Sequence, residues 1–229
     1  MSKSPKPVSK RPLWKRVAGV ILAIALIPLV LVPVYRFVPA ISTLMVWTRL
    51  TGTAVERTWV GFADIAPSLV ASVIMSEDGK FCSHRGVDWA ELNKVIADDD
   101  GPSRGASTIA MQTVKNLFLW TSRSYVRKAI EIPLALYADL VWGKRREMEL
   151  YLNVAQFGPG VFGAEAAARR YCRRSAKALT AEQAALLTAT LPYPDRRDPA
   201  HPSAGMRARA ATIAERTAQA RAYIDCLYP

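Results

Sequence analysis

Between Val17 and Tyr35 the chain runs nineteen residues without a charge, with Lys15 and Arg16 before the run and Arg36 after it. Coiled as a helix, such a run matches a bilayer core of roughly 30 Å, which needs roughly 20 residues. Pro28 and Pro33 fall inside it, which a membrane helix tolerates, although they leave its exit undefined. The basic flank is the amino side, so the amino end is expected in the cytoplasm and the rest across the membrane. A cleaved signal peptide is the alternative, but the run is long and has no clear small-x-small cleavage site. From Pro67 the pattern changes to helical periodicity, over 67–77, 107–119, 125–142, 144–153, 161–171 and 181–190. Pro192, Pro194, Pro199 and Pro202 then punctuate the chain before an Ala/Arg-rich helix of undefined role. Strand alternation is almost absent, so the fold is expected to be mainly α. Residues 98–104, Asp-Asp-Asp-Gly-Pro-Ser-Arg, read as a mobile polar loop. Residues 36–65 mix Pro39, an apolar stretch from Ile41 to Trp47, Trp59 and Phe62, which suits either a juxtamembrane element at the lipid surface or a core-packing segment. The expected division is a basic tail over 1–16, an anchor over 17–35, a juxtamembrane segment over 36–65 and one folded domain over 66–229.

One polar residue breaks the helical pattern. Leu69, Val70, Val73 and Ile74 form an apolar stripe, and its next member is Glu77. Burying an ion there costs several kcal/mol unless something compensates, so Glu77 belongs in a cleft or at a helix end that turns to solvent. Arg127 and Glu131 stand four apart, the spacing of a surface ion pair worth about 0.3–0.5 kcal/mol. Pro133 follows and is expected to kink that helix.

Longer patterns carry a resemblance. Ser76-Glu77-Asp78-x-x-Phe81-x-x-His84-x-Gly86-x-Asp88 is followed by Gly105-x-Ser107-Thr108-Ile109-x-x-Gln112-x-x-Lys115-Asn116 and by Arg127-Lys128-x-x-Glu131. Lys144 through Tyr151-Leu152-Asn153 comes next, and then Phe157-Gly158 with Gly163-x-Glu165-Ala166-Ala167. In this order the five segments resemble the glycosyltransferases that polymerise peptidoglycan, in their stand-alone, monofunctional form. The resemblance implies a mainly α, lysozyme-like glycosyltransferase domain behind one amino-terminal transmembrane helix. It implies polymerisation of lipid II into β-1,4 glycan, with inversion and release of a lipid pyrophosphate.

That reaction needs a base for an acceptor hydroxyl, cations for the leaving pyrophosphate and a cleft open to the membrane. By the resemblance, Glu77 is the base on the 4-hydroxyl, and Glu131 is the second acid, near the leaving group or a divalent ion such as Mg or Mn. Lys115 and Arg127 meet the pyrophosphate, and Asp78, Phe81, His84, Ser107, Thr108, Gln112, Asn116 and Lys128 complete the substrate site. Ser107 as a plain helix cap is the alternative for that residue. Lys144 and Asn153 are expected to support the fold or the sugar-binding groove, not the chemistry. Met111 stands where the family carries a second glutamine, which bears on sugar contacts. No organic cofactor is expected. The implied partners are lipid II, the growing lipid-linked chain, the membrane and other cell-wall synthesis and division proteins, at the bacterial inner membrane with the catalytic domain in the periplasm. A lysozyme-type glycan-cleaving enzyme and a non-catalytic membrane-anchored scaffold are the competing readings.

Composition adjusts this picture in three places. Of the +12 formal charge, six come from the first sixteen residues. An exported domain rarely meets nucleic acid, so anionic headgroups and a pyrophosphate-bearing substrate explain the surplus better. At 229 residues there is room for one domain of ordinary size plus an attachment segment, and no transpeptidase signature is expected alongside it. The three cysteines, Cys82, Cys172 and Cys226, cannot all pair; a Cys172–Cys226 bridge or three packed thiols are the two expectations. Cys82-x-His84 lacks the further ligands of a zinc site.

Overall fold

A computed structural model describes residues 12–97, 107–122 and 124–228. The expected loop over 98–104, Gly105 and most of the basic tail lie outside the described residues. Nine α-helices account for most of what is described: α1 Leu13–Tyr35, α2 Thr43–Leu50, α3 Pro67–Glu77, α4 Trp89–Ile96, α5 Ile109–Phe118, α6 Tyr125–Val154, α7 Ala164–Ala167, α8 Ala181–Thr188 and α9 Ala204–Ala218. The mainly α expectation is met, with one addition. Three strands of two or three residues, β1 Glu56–Arg57, β2 Gln156–Gly158 and β3 Val161–Phe162, form a sheet in the order β1-β3-β2. β1 runs parallel to β3 and β2 antiparallel to it. Pieces this short show no alternation, which is why the pattern of the chain hid them.

Helix ends follow local chemistry. Pro67 opens α3 at a position where its missing N–H costs nothing. Thr180 and Gln183 close a capping box on α8. Asp88 caps α4 through the Glu91 amide, and that eight-residue helix was not foreseen. The helix expected over 161–171 is instead β3, the short α7 and a π turn over Ala168–Cys172. The expected split of 125–153 into two helices is real: Gly143 sits at φ +68° and breaks α6 there. The backbone stays helical through Pro133, so the break lies at the glycine and not at the proline.

α5 and α6 separate two cores. On one side α3 (Leu69, Val73, Ile74) packs with Phe81, Tyr151, Phe157, Leu187 and Leu227. On the other, Met111, Val114 and Leu117 of α5 pack with Leu134, Ala138 and Trp142 of α6, with Met45 of α2 and Val32 of α1. Fully burying such a side chain stabilises by about 1.5–3 kcal/mol, so each face fixes its helix without help from propensity. Residues 36–65 thus contribute Met45 and Phe62 to the cores, while Trp47 and Leu50 stay exposed.

Among the described residues α1 is the one helix long and apolar enough to cross a membrane. Its first turns present Leu13, Val17, Val20, Ile21 and Ile24 to the outside, and only its end meets the domain. Pro33 has no N–H to give the Leu29 carbonyl, and the Tyr137 hydroxyl takes that carbonyl at 3.1 Å. Trp142 Nε1 donates to the Val32 carbonyl at 2.7 Å. Arg146 donates to the carbonyls of Tyr35 (2.8 and 2.9 Å) and Val38 (2.6 Å), placing a cation on the carboxyl end of the helix. The helix therefore remains continuous to Tyr35 despite two prolines.

Candidate active site

The carboxyl end of α3, the turn after it, α5 and the start of α6 converge. Glu77 is the last residue of α3 and lines a cavity of about 220 Å³ together with Asp78, Lys80, Asp88, Glu91, Ser107 and Thr108. Its Oε1 accepts the Ser76 hydroxyl at 3.0 Å, and its Oε2 accepts Gln112 Nε2 at 3.3 Å. Gln112 is itself oriented: its Oε1 accepts the Tyr151 hydroxyl at 3.2 Å. Tyr151 is fully buried, and burial, reinforced by the charges of Glu77 and Asp78, holds its hydroxyl far above the usual range for ionisation. It therefore stays a donor, and a donor on Oε1 leaves the amide nitrogen for Glu77. The helical stripe does lead Glu77 to the edge of a core, as its position in the sequence required, and the polar partners supply the compensation.

Asp78 does a different job. Its side chain is buried, accepting the Ile109 amide at 2.9 Å and meeting His84 Nε2 at 2.9 and 3.1 Å. A carboxylate on a first-turn amide of α5 ties that helix start to the end of α3. Thr108, the N-cap of α5, donates to the Gly86 carbonyl at 2.6 Å. Gly86, at φ +74°, lies so close to α6 that a Cβ there would sit 2.6 Å from the Ala135 carbonyl oxygen. The cap is Thr108 and not Ser107, which leaves the Ser107 hydroxyl free to accept Lys128 Nζ at 2.7 Å.

A second, cationic group stands beyond Gln112. Lys115 is one turn along α5, and Arg127, Lys128 and Glu131 lie on the first turns of α6. Arg127 Nη1 is 2.7 Å from Glu131 Oε1, and Lys128 Nζ is 3.5 Å from Oε2. The spacing suggested a surface pair, but the Glu131 side chain is only 3% exposed and that of Arg127 11%. Burial pulls the Lys115 ammonium below the usual lysine range; Glu131 opposes this shift, Arg127 and Lys128 add to it, and Glu77 opposes it more weakly. Burial also lowers Lys128, against the pull of Glu131.

Other expected site residues lie behind this surface. Phe81 is fully buried, with the Lys144 ammonium 4.6 Å above its ring, so it packs the floor and does not line the cavity. Met111 is likewise fully buried, so the position of the family's second glutamine belongs here to the core. Asn116 gives its carbonyl to the Thr43 hydroxyl at 3.2 Å, which fastens α2 to α5. Asn153 holds Val60 in both directions, at 2.9 and 3.0 Å, and supports the fold as expected.

Sequence reasoning missed the contacts that three groups make here. Arg209 of α9 reaches Ser76 Oγ at 3.2 Å and lies 3.9 Å from Glu77 Oε1. Tyr151 orients Gln112. Under Phe81, Lys144 lies 2.5 Å from Asp139 Oδ1, beside Glu147, which is completely buried. Burial drives Glu147 well above the usual carboxyl range, with Lys144 opposing the shift and Asp139 adding to it. The Tyr151 segment was in the recognised pattern, whereas nothing local marks Arg209.

The chain belongs to the transglycosylase family. The model of that family, described as Transglycosylase, matches residues 44–218, and its domain is lysozyme-like. A protein of Brucella suis biovar 1 named biosynthetic peptidoglycan transglycosylase is 53% identical over 212 residues, 91% of this chain and 95% of the relative. One of the same name from Rhizobium meliloti is 50% identical, over 93% of this chain and 92% of the relative. A third, from Mesorhizobium japonicum, is 48% identical over 99% of this chain and the whole of the relative.

Proposed function

We propose that the cleft polymerises lipid II, with Glu77 as the base and the Lys115, Arg127 and Lys128 group as the pyrophosphate site. The chain is a glycosyltransferase of peptidoglycan synthesis, and the observation that carries the finer reading is the order of charge along α5: a carboxylate at Gln112, cations one turn further on. The acceptor's 4-hydroxyl gives its proton to Glu77 as its oxygen bonds to the donor's anomeric carbon from the face opposite the pyrophosphate. The bond from that carbon to the phosphate oxygen breaks, its electron pair stays on the lipid pyrophosphate, and the configuration inverts. Arg127 is suited to grip two phosphate oxygens, and Lys115 and Lys128 supply point charges. Glu131 positions Arg127 and Lys128 for this task. Asp78 and His84 hold the end of α3 on the start of α5.

A divalent ion does not fit as a protein-held group at Glu131. Around that carboxylate stand Arg127, Lys128 and Lys115, which already neutralise it. The one cluster of metal-type side chains among the described residues, Cys82, Asp225 and Cys226, contains two sulfurs bonded to each other. Any Mg or Mn that aids the reaction would travel with the pyrophosphate, and no step above depends on it. The exposed apolar turns of α1 support a membrane anchor, and the basic residues before them support a cytoplasmic amino end with the catalytic domain outside.

Purified full-length protein supplied with lipid II in detergent should yield glycan chains and lipid pyrophosphate. Cleavage of finished glycan with no polymer from lipid II would replace this reading by the hydrolytic one. No turnover of either substrate would favour a scaffold.

A further inference from the structure

The last 25 described residues wrap the catalytic helix and return to its active end. Arg209 of α9 touches Ser76 and Glu77. Two turns further along α9, Thr217 Oγ1 lies 3.2 Å from Ser72 Oγ, one turn back on α3, where Ser72 is fully buried. The turn Ala220–Tyr223 packs on α3 as well. Leu227 enters the main core with no exposure, and the Tyr228 ring lies 5.5 Å from that of Phe62. Between these two attachments Cys226 is joined by a disulfide to Cys82, across 144 residues of sequence.

The place of Cys82 decides what the bond does. It stands in the turn between Asp78 and His84, whose side chains hold the turn closed from within and whose first residue follows Glu77. Phe81 anchors the middle of the turn in the main core, and its amide on the Asp78 carbonyl at 3.0 Å, the Ser83 amide on the Lys80 carbonyl at 2.8 Å and a Lys80–Asp88 ion pair hold the backbone; Cys82, the next residue, adds a covalent tie. A cross-link meant only to restrict the unfolded chain would serve between any two distant surface sites. The pair observed excludes Cys172, which is free and half-buried, so the expected Cys172–Cys226 bridge is replaced by one that ends in the catalytic turn.

We infer that Cys226 is a positioning residue for Glu77 and Asp78: through Cys82 it fastens the carboxyl-terminal strap to the catalytic turn, and full turnover requires this bond. The inference rests on the proposed role of Glu77. Closing the bond removes two protons and two electrons from the Cys82 and Cys226 thiols. A disulfide of a thiol oxidoreductase or of a small molecule accepts them and leaves as two thiols, by way of a mixed disulfide. Cys226 is exposed, so oxidant and reductant both have access to it.

The test uses the full-length protein in detergent, with intact mass reporting the oxidation state. Wild type, wild type treated with dithiothreitol, Cys226→Ser and Cys172→Ser are compared by amide hydrogen exchange over 77–86 and by kcat and KM on lipid II. In the reduced protein and in Cys226→Ser, exchange over 77–86 should quicken about tenfold and kcat fall about ten- to a hundredfold with KM held within about twofold, as a misplacement near 1 Å would produce. Cys172→Ser should match wild type, and dithiothreitol should add nothing to Cys226→Ser. Unchanged exchange and kcat with only a lower Tm would make the bond a stabilising link and overturn the inference, as would free thiols at both positions in protein isolated from the envelope. Should oxidised wild type fail to polymerise at all, the functional reading fails by itself, and the exchange data still decide whether the strap fixes the turn. Should Cys226→Ser not fold, reduction of the native wild type gives the same comparison.

Discussion

The two charged groups of the candidate site are built in opposite ways. The cationic group is local: Arg127, Lys128 and Glu131 share one face of α6 by their spacing alone, and Lys115 joins them through a single helix contact between α5 and α6. The acid group is assembled from afar. Glu77 is held by its neighbour Ser76, by Gln112 of α5 backed by Tyr151 of α6, and by Arg209 of α9, 132 positions later in the chain. Cationic groups can share a diffuse, divided phosphate charge, so several partly redundant side chains suffice. A base acts on one proton at one point, and its placement has to be determined by many partners. The lesson is that tolerance to substitution should differ between the groups, with the acid group the less forgiving.

Glu77→Gln should break the comparison most severely. It keeps shape and one hydrogen-bonding oxygen, so the protein should fold with an unchanged Tm while polymerisation falls by about 10²- to 10⁴-fold, the contribution of a general base. Near wild-type polymer from this variant would remove the base from the mechanism. Glu131→Gln attacks the other group and should cost less in turnover, but it leaves a buried guanidinium with a weakened partner, which costs about 3–5 kcal/mol where a pair is broken outright and less for the isosteric amide. Its Mg titration should run parallel to that of wild type. A defect rescued by Mg would instead show an ion held at Glu131.

Lys115→Arg sharpens the contrast through pH. Burial lowers the folded pKa of Lys115, so its charge is lost on the alkaline side earlier than for an ordinary lysine. A guanidinium keeps its charge beyond pH 12 or so. The alkaline fall of kcat/KM for lipid II should therefore move to higher pH in the variant; an unmoved limb would place the titrating group elsewhere. Arg209→Ala should lower kcat by a few-fold only, since the guanidinium is 38% exposed and sits 3.9 Å from the carboxylate, a contact worth about 1 kcal/mol or less. A loss as large as that of Glu77→Gln would make Arg209 a direct participant.

The smallest effect on turnover should come from the floor. Glu147 has a folded pKa raised above its unfolded value, so its protonated form is favoured in the native state and stability declines as pH rises past the ordinary carboxyl range. Each pH unit over which the native protein alone keeps that proton costs about 1.4 kcal/mol. Glu147→Gln removes this slope: its Tm should exceed that of wild type at pH 8 and approach it at pH 4.5, with polymerisation little changed. Equal Tm at both pH values would mean that the carboxyl does not hold a proton in the folded state.

Much of this was legible in one dimension because periodicity and motif order are local properties. The apolar run gave a membrane-length α1, the stripe gave α3 with Glu77 at its last turn, and i, i+4 spacing put Arg127 beside Glu131. Helical periodicity failed where elements are short: the two- and three-residue strands, the eight-residue α4, and the cap that turned out to be Thr108. Burial was the larger gap, because spacing says which residues share a face and not what covers that face. Phe81 and Met111 went to the core, and the Arg127–Glu131 pair went under the surface.

The sequence by itself determined the family, the identity of the acids and cations, and the membrane-length helix, since each depends on residue type and near-neighbour order. Tertiary structure decided which of those groups meet. Tyr151 fixes the orientation of Gln112, Arg209 arrives at Glu77 from α9, and Cys82 pairs with Cys226 and not with a nearer partner in the chain. The physical reason is the same in each case: a contact between residues far apart in the chain is set by how two cores fill with side chains, and no local pattern encodes that filling.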